Sequence, residues 1–453
     1  MTCFAACEDS KERRLPPPID SGVVLPDAGM LPPDASGAAA DSSLIDTGLD
    51  SGPDAEVPLM PDFYVDPVAG EDTRDGTTPA TAFKTLCTAS YKAKANQTIA
   101  LLDGTYGASQ RPPGWINSLP CGPSFTVPIR LIAMTPGNAV VGVTLTLAQG
   151  GEVRGIKLDG DKGRIHVTGG ALVIRDLSFG NVFSHPSQQS ATINVTGTAK
   201  VAIFPGAVTN YATVPVPNDW GLKFAFVHHG GELTMEGGTI DDSAPANNNP
   251  SCTPLFEVTA GTLTLKNFTA RHKGTIARVT SGTFDVIGGT LEGRSTVFGV
   301  GCAPAILVDA GPSAKVTMAG TTLPGGAPFG IAAYSRVELS LTGVTLSGFT
   351  EAGIDLGGTT SALTMRNCTV QANKSGIRFG GTVTADIAAS TISGNTICGL
   401  RSESTAVVMA AGNVWTASQQ EAGADGKYAT SLRTGLAQGP NYCLPTAANK
   451  IQF

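Results

Sequence analysis

Charged side chains make up only 15% of this 453-residue chain, and nowhere do Lys and Arg cluster with interleaved aromatics. The electrostatic footprint of a nucleic-acid binder is therefore missing. No apolar run is long enough to span a bilayer. Nine cysteines occur, yet without a CxxC pair or a Cys/His ligand spacing, which argues against a zinc site and leaves disulfides or core thiols. Helical periodicity is rare, so an all-α repeat is excluded as well. What the chain does have is Gly 56 and Pro 30, a composition that calls for frequent turns.

The acids are unevenly placed. Residues 1–61 hold eleven acids against Lys11, Arg13 and Arg14, a net −8, so the other 392 residues sum to +1. Pro-Asp-Ala and Asp-Ser-Gly pieces repeat over residues 8–61 (Pro26-Asp27-Ala28-Gly29, Pro33-Asp34-Ala35, Asp50-Ser51-Gly52-Pro53-Asp54-Ala55) with few large apolar residues. Such a segment cannot bury enough surface to offset its ordering entropy and is expected to be a disordered, acidic tether. Its Asp residues never take the DxDxDG spacing of a calcium loop. Phe4-Ala5-Ala6-Cys7 resembles the end of a bacterial lipobox, which implies a lipid on Cys7 and an extracytoplasmic location, either at the cell surface or secreted. The usual hydrophobic stretch is missing before Cys7, so either translation starts further upstream or the match is accidental.

From Phe63 the texture changes. Phe63-Tyr64-Val65-Asp66-Pro67, Gly70-Glu71-Asp72, Asp75-Gly76-Thr77, Ala82-Phe83-Lys84-Thr85-Leu86 and Thr98 to Tyr106 follow in an order that resembles the opening of the DUF1565 family of pectin-lyase-like β-helix proteins. The resemblance implies a right-handed parallel β-helix and an extracytoplasmic setting; it supplies no activity. Residues 84–94 place Leu86, Ala89 and Ala93 at helical spacing, so a short capping helix is expected over the open end of the first coil.

The repeat is legible without the family. Apolar-x-apolar-x-x-x-Thr-apolar recurs at Leu233–Ile240, Leu263–Ala270, Phe284–Leu291, Val316–Leu323 and Leu363–Val370, and looser copies end at Leu158, Phe179, Val208, Leu346, Ile392 and Val414. Steps near 22 residues hold three short strands and three turns. The expected fold is all-β, a parallel β-helix of about eleven coils, on the order of 50 Å long at roughly 4.8 Å per rung. Residues 62–135 are expected as the cap, 136–420 as the coils and 421–453 as a C-terminal tail.

A second strand recurs as Ile165-His166-Val167, Ile193-Asn194-Val195, Phe256-Glu257-Val258, Ile354-Asp355-Leu356 and Ile377-Arg378-Phe379, whose middle residue should point outward. Extra residues fall at one phase of the coil, at 181–190, 209–220, 241–254 and 292–304, so these insertions should wall that strand's outward face. His166, Asn194, Glu257 and Arg278, with Tyr211 and Trp220 from an insertion, are the candidate ligand-binding residues. Asp355, Arg378 and Arg401, on consecutive rungs, are the candidate catalytic group. Opposite charges on neighbouring strands also pair for purely structural reasons, and that reading is preferred here. Glu257 and Asp355 would lie about four rungs, on the order of 19 Å, apart, beyond the separation of a glycosidase pair.

Candidate disulfides are Cys87 with Cys121, Cys252 with Cys302 and Cys398 with Cys443, and Cys368 takes an inward phase as a core thiol. The threonines at 239, 269, 290, 322, 345, 369 and 391 should form an outward ladder; one Thr per strand does not make an ice-binding face, since Thr is favoured on any pleated surface.

The expected function is binding of extracellular polysaccharide or another surface ligand by this loop-walled face, without catalysis. The alternatives are a calcium-dependent polysaccharide lyase or other carbohydrate-active enzyme, and a structural or adhesive surface protein. A lyase would use carboxylates to hold calcium and a cation to abstract a proton. No metal site is expected from the residues themselves. Membrane contact is expected only through Cys7.

Overall fold

Most strands in this chain pair with the segment one coil away and skip the next strand in sequence. Val337–Thr342, for example, lies between Ala314–Ala319 and Thr359–Arg366, parallel to both. The computed structural model describes residues 60–107, 122–160, 162–180, 192–204, 226–242, 254–272, 274–293, 304–308, 314–402, 406–410, 412–416 and 450–452. All belong to one unit, Leu59–Phe453. Candidate residues Cys7, Cys121, Tyr211, Trp220, Cys252, Cys302 and Cys443 lie outside the described residues.

The described strands form three parallel faces, and the rung of Ile193–Val195 and Lys200–Ile203 has no face C strand among the described residues. Face A stacks Arg164–Val167, Ile193–Val195, the start of Phe256–Lys266, Ala277–Val279, Pro304–Val308, Phe329–Ala333, Ala352–Leu356, Ser375–Phe379 and Cys398–Ser402. Face B includes Thr283–Ile287, Ala314–Ala319, Val337–Thr342, Thr359–Arg366 and Thr382–Ala388. Face C is a four-stranded and an eight-stranded sheet. The chain is a parallel β-helix.

Apolar-x-apolar explains the packing. Leu263, Phe284, Val316, Leu339 and Leu363 stand in one register on face B and are all buried. Each such side chain removed from water contributes about 1.5–3 kcal/mol, and like side chains stacked rung on rung leave few voids.

The corner between faces B and C sets the phase. Asn267, Gly288, Gly320, Gly343, Asn367, Ala389 and Gly412 take the left-handed conformation with φ of 50 to 69°, where Gly and Asn are the least strained residues. Successive corners hydrogen-bond: Gly320 N–H donates to Thr342 O at 2.8 Å and Gly343 N–H to Arg366 O at 2.9 Å. The expected Thr ladder follows each corner in register and faces outward.

A ladder of asparagines and a buried thiol line the interior. At the corner between faces C and A, Asn373 Oδ1 accepts from Phe349 N–H at 2.9 Å, Asn395 Oδ1 accepts from Asn373 N–H at 3.1 Å, and Asn395 Nδ2 donates to Val370 O at 3.2 Å. Both asparagines are buried. Cys368 is buried, as its inward phase requires; its Sγ accepts from Val344 N–H and donates to Arg366 O.

At the N-terminal end the helix Leu86–Lys92 forms, shorter than residues 84–94. Thr85 caps it, accepting from Thr88 N–H at 3.2 Å, and buries Leu86, Cys87 and Ala89 toward the core.

Three sequence expectations change. Stacking does not wait for residue 136: Phe63–Val65 pairs with Thr98–Leu101, which pairs with Ile129–Ala133, and Gly104–Tyr106 already belongs to face C. The final copy is one residue out of phase. Val414 pairs with Thr391 and Trp415 with Ile392, because left-handed Gly412 occupies the corner beneath Ala389, and Val414 is left exposed. The Cys398–Cys443 bridge is not formed: Cys398 is a buried thiol within the core cluster, two residues before inward Leu400.

Candidate functional site

Alternation on face A puts the expected residues on one outward column. The register runs His166, Asn194, Val227, Glu257, Arg278, Leu307, Ala332, Asp355, Arg378, Arg401. The polar residues do not run on without a break, because buried Ala332 precedes Asp355 in the register. His166 and Asn194 are adjacent, Glu257 and Arg278 are adjacent, and Asp355, Arg378 and Arg401 occupy three consecutive rungs.

In the first pair, His166 Nε2 meets Thr196 Oγ1 at 3.4 Å. Asn194 Oδ1 is buried without a hydrogen-bond partner. Glu257 and Arg278 are half-buried and in direct register.

The third group is the densest. Asp355 points outward yet is only 7% exposed, because its neighbours close over it. Arg378 Nε lies 3.3 Å from Asp355 Oδ1, and Arg378 Nη2 donates to Oδ2 at 3.4 Å. Tyr334, the residue after the strand Phe329–Ala333, donates its hydroxyl to the same Oδ2 at 3.3 Å. The Arg378 guanidinium carbon sits 5.6 Å from the centre of the Phe329 ring, within cation–π range. Glu351 bonds Lys374 Nζ at 2.8 Å and reaches Arg378 Nη1 at 4.0 Å.

Burial raises the Asp355 pKa, and the Arg378 charge, the Tyr334 hydrogen bond and the Arg401 charge pull it back down only in part. Tyr334 is pushed up to about 12, first by desolvation and then by the Asp355 charge. It therefore stays a neutral donor to the carboxylate at physiological pH.

This arrangement serves orientation. Both Asp355 oxygens are engaged, so the carboxylate fixes a guanidinium and a phenol whose remaining surfaces face outward. A calcium site does not fit here, since the ion needs several carboxylate and carbonyl oxygens at once, while Asp355 and Glu351 already hold Arg378, Tyr334 and Lys374. Among the described residues no three His, Cys, Asp or Glu converge.

Three of the four insertions fall between a face C strand and the next face A strand: Ser178–Phe179 precedes Ile193–Val195, Thr239–Asp242 precedes Phe256, and Thr290–Gly293 precedes Pro304–Val308. Two of them begin later than expected. Asp241 and Glu292 are strand residues in register with Arg271, which pairs with both at 3.6 and 3.2 Å. Tyr334 lies at a corner just past the strand Phe329–Ala333, so alternation does not point to it, whereas alternation does place Asp355 and Arg378 beside it.

No family model matches the chain, and no curated protein matches it. Among solved structures it is similar to a mannuronic-acid-specific polysaccharide family 6 lyase from human gut microbiota, at 12% identity and a TM-score of 0.29 over 72% of this chain and 79% of that one. The A-module of a mannuronan C-5 epimerase of Azotobacter vinelandii aligns at 12% identity and a TM-score of 0.27, over 74% and 90%. A rhamnogalacturonan lyase aligns at 13% identity and a TM-score of 0.15, over 78% and 72%.

Proposed function

We propose that this protein is an exported β-helix, tethered through a lipid on Cys7, that binds extracellular polysaccharide on face A without catalysis. The observation that carries the reading is the closed hydrogen bonding of Asp355. A carboxylate held by Arg378 and Tyr334 is committed to positioning those groups, whereas the lyase alternative needs carboxylate oxygens left over to hold calcium. Arg378 and Arg401 then supply planar donors for the hydroxyls or carboxylates of a glycan.

The test is affinity electrophoresis of the full chain in pectate, alginate and glycosaminoglycan gels, run beside an assay for unsaturated-uronate absorbance. The expected outcome is retardation without absorbance growth. Arg378→Ala and Arg401→Ala should each weaken binding by about tenfold, the worth of one charge-assisted hydrogen bond. Arg401→Ala is the safer variant, because Arg378→Ala leaves Asp355 buried beside an empty site. Absorbance growth that disappears in either variant would make the protein a lyase. Labelling with a palmitate analogue, lost in Cys7→Ser, tests the tether.

A further inference from the structure

Three successive rungs turn from face A into face B through Tyr334-Ser335, Gly357-Gly358 and Gly380-Gly381. These corners are stacked: Gly357 N–H donates to Ala333 O at 2.7 Å and Gly380 N–H to Leu356 O at 2.8 Å. The first carries a large aromatic ring, 56% exposed. The next two carry no side chain at all.

Gly358 and Gly381 have φ of 84 and 63°, so their backbone conformation explains them. Gly357 and Gly380 have no such excuse, since neither shows a positive φ. A Cβ on Gly380 would meet only Gly357 Cα at 3.9 Å and Leu356 O at 4.0 Å, and one on Gly357 would lie 3.4 Å from Tyr334 Cδ1. Those are ordinary contacts or nearly so. Neither strain nor packing demands glycine at 357 and 380; what both glycines do is leave a bare step beside the Tyr334 ring. The step is two rungs long, on the order of 10 Å. The ring that walls it is fixed at its tip by Asp355, so it presents its face without further loss of rotamer freedom.

We infer that this step is a sugar subsite, in which one pyranose ring of the polysaccharide lies over Gly357 and Gly380 with its C–H face against Tyr334 and its polar edge toward Arg378. The inference rests on the polysaccharide-binding reading and names where a ring is held. An aromatic side chain with a polar tip suits such a ligand, because the ring covers the apolar C–H face while the hydroxyl is satisfied elsewhere.

The test uses the same pectate, alginate and glycosaminoglycan gels with full-length Tyr334→Ala, Tyr334→Trp and Gly380→Val, each checked for an unchanged melting temperature. Tyr334→Ala should bind about tenfold more weakly, Tyr334→Trp should keep the affinity, and Gly380→Val should weaken it at least as much as Tyr334→Ala by filling the step. If the parent binds and both Tyr334→Ala and Gly380→Val bind equally well, the subsite is overturned while polysaccharide binding stands. A parent that binds none of the gels overturns both.

Discussion

Asp355 shows how one residue is shaped by its rung neighbours. Its carboxyl is drawn in opposite directions, upward by burial and downward by Arg378, Tyr334 and Arg401, and burial wins. The folded chain thus holds this proton more tightly than the unfolded chain. Stability from this group is complete below the unfolded pKa and is lost as pH rises through the folded one. Asp355→Asn removes the titration, so the variant should gain on the parent as pH climbs from the ordinary carboxylate range, near 3.8. Urea unfolding at a series of pH values measures the difference; a gap that stays constant with pH would refute the assignment.

At the scale of an element, the corners carry more of the specificity than the strands. Face C shows the contrast, with outward threonines repeating on one side of the strand and buried asparagines at its far corner. Asn395→Ala would leave the Asn373 N–H and the Val370 carbonyl without their partners inside the coil. Each buried group so orphaned costs about 1–3 kcal/mol. Thr345→Val, on the outward ladder, keeps β-branching and should stay within about 0.5 kcal/mol of the parent. Denaturant midpoints for the two variants check the pair, and equal effects would mean that the asparagine ladder is not the stabilising device described.

Across the whole molecule, each rung touches only the rungs beside it, so the ends are where the fold is exposed. Helix Leu86–Lys92 and strand Phe63–Val65 cover the N-terminal rung, with Phe83 and Leu86 buried against Ile99 and Leu101 in one core cluster. Removing residues 1–93 would bare the edge of Thr98–Leu101 together with that core. An uncovered parallel edge pairs with whatever strand it meets, so the shortened chain should associate more than the full chain does. Light scattering after size exclusion decides it, and a monomeric, soluble product would show that the cap is dispensable.

Much of this architecture is local and therefore readable in one dimension. Apolar-x-apolar alternation places Leu339 and Leu341 inward, and the same alternation places Asp355 and Arg378 outward, whatever else the chain does. Steps near 22 residues put Asp355, Arg378 and Arg401 on neighbouring rungs, as found. Other features depend on what lies one rung away, which spacing alone does not reveal. Val414 falls one residue out of phase because a left-handed corner at Gly412, stacked under Ala389, sets the register there. Phe63–Val65 joins the stack only through Thr98–Leu101 lying against it, a pairing that spacing does not show. The asparagine ladder, the thiol state of Cys398 and the Tyr334 hydroxyl on Asp355 are likewise matters of stacking. Periodicity belongs to the covalent chain and decides which way a side chain faces; the contact it then makes belongs to the neighbouring coil and arises only when the rungs close on one another.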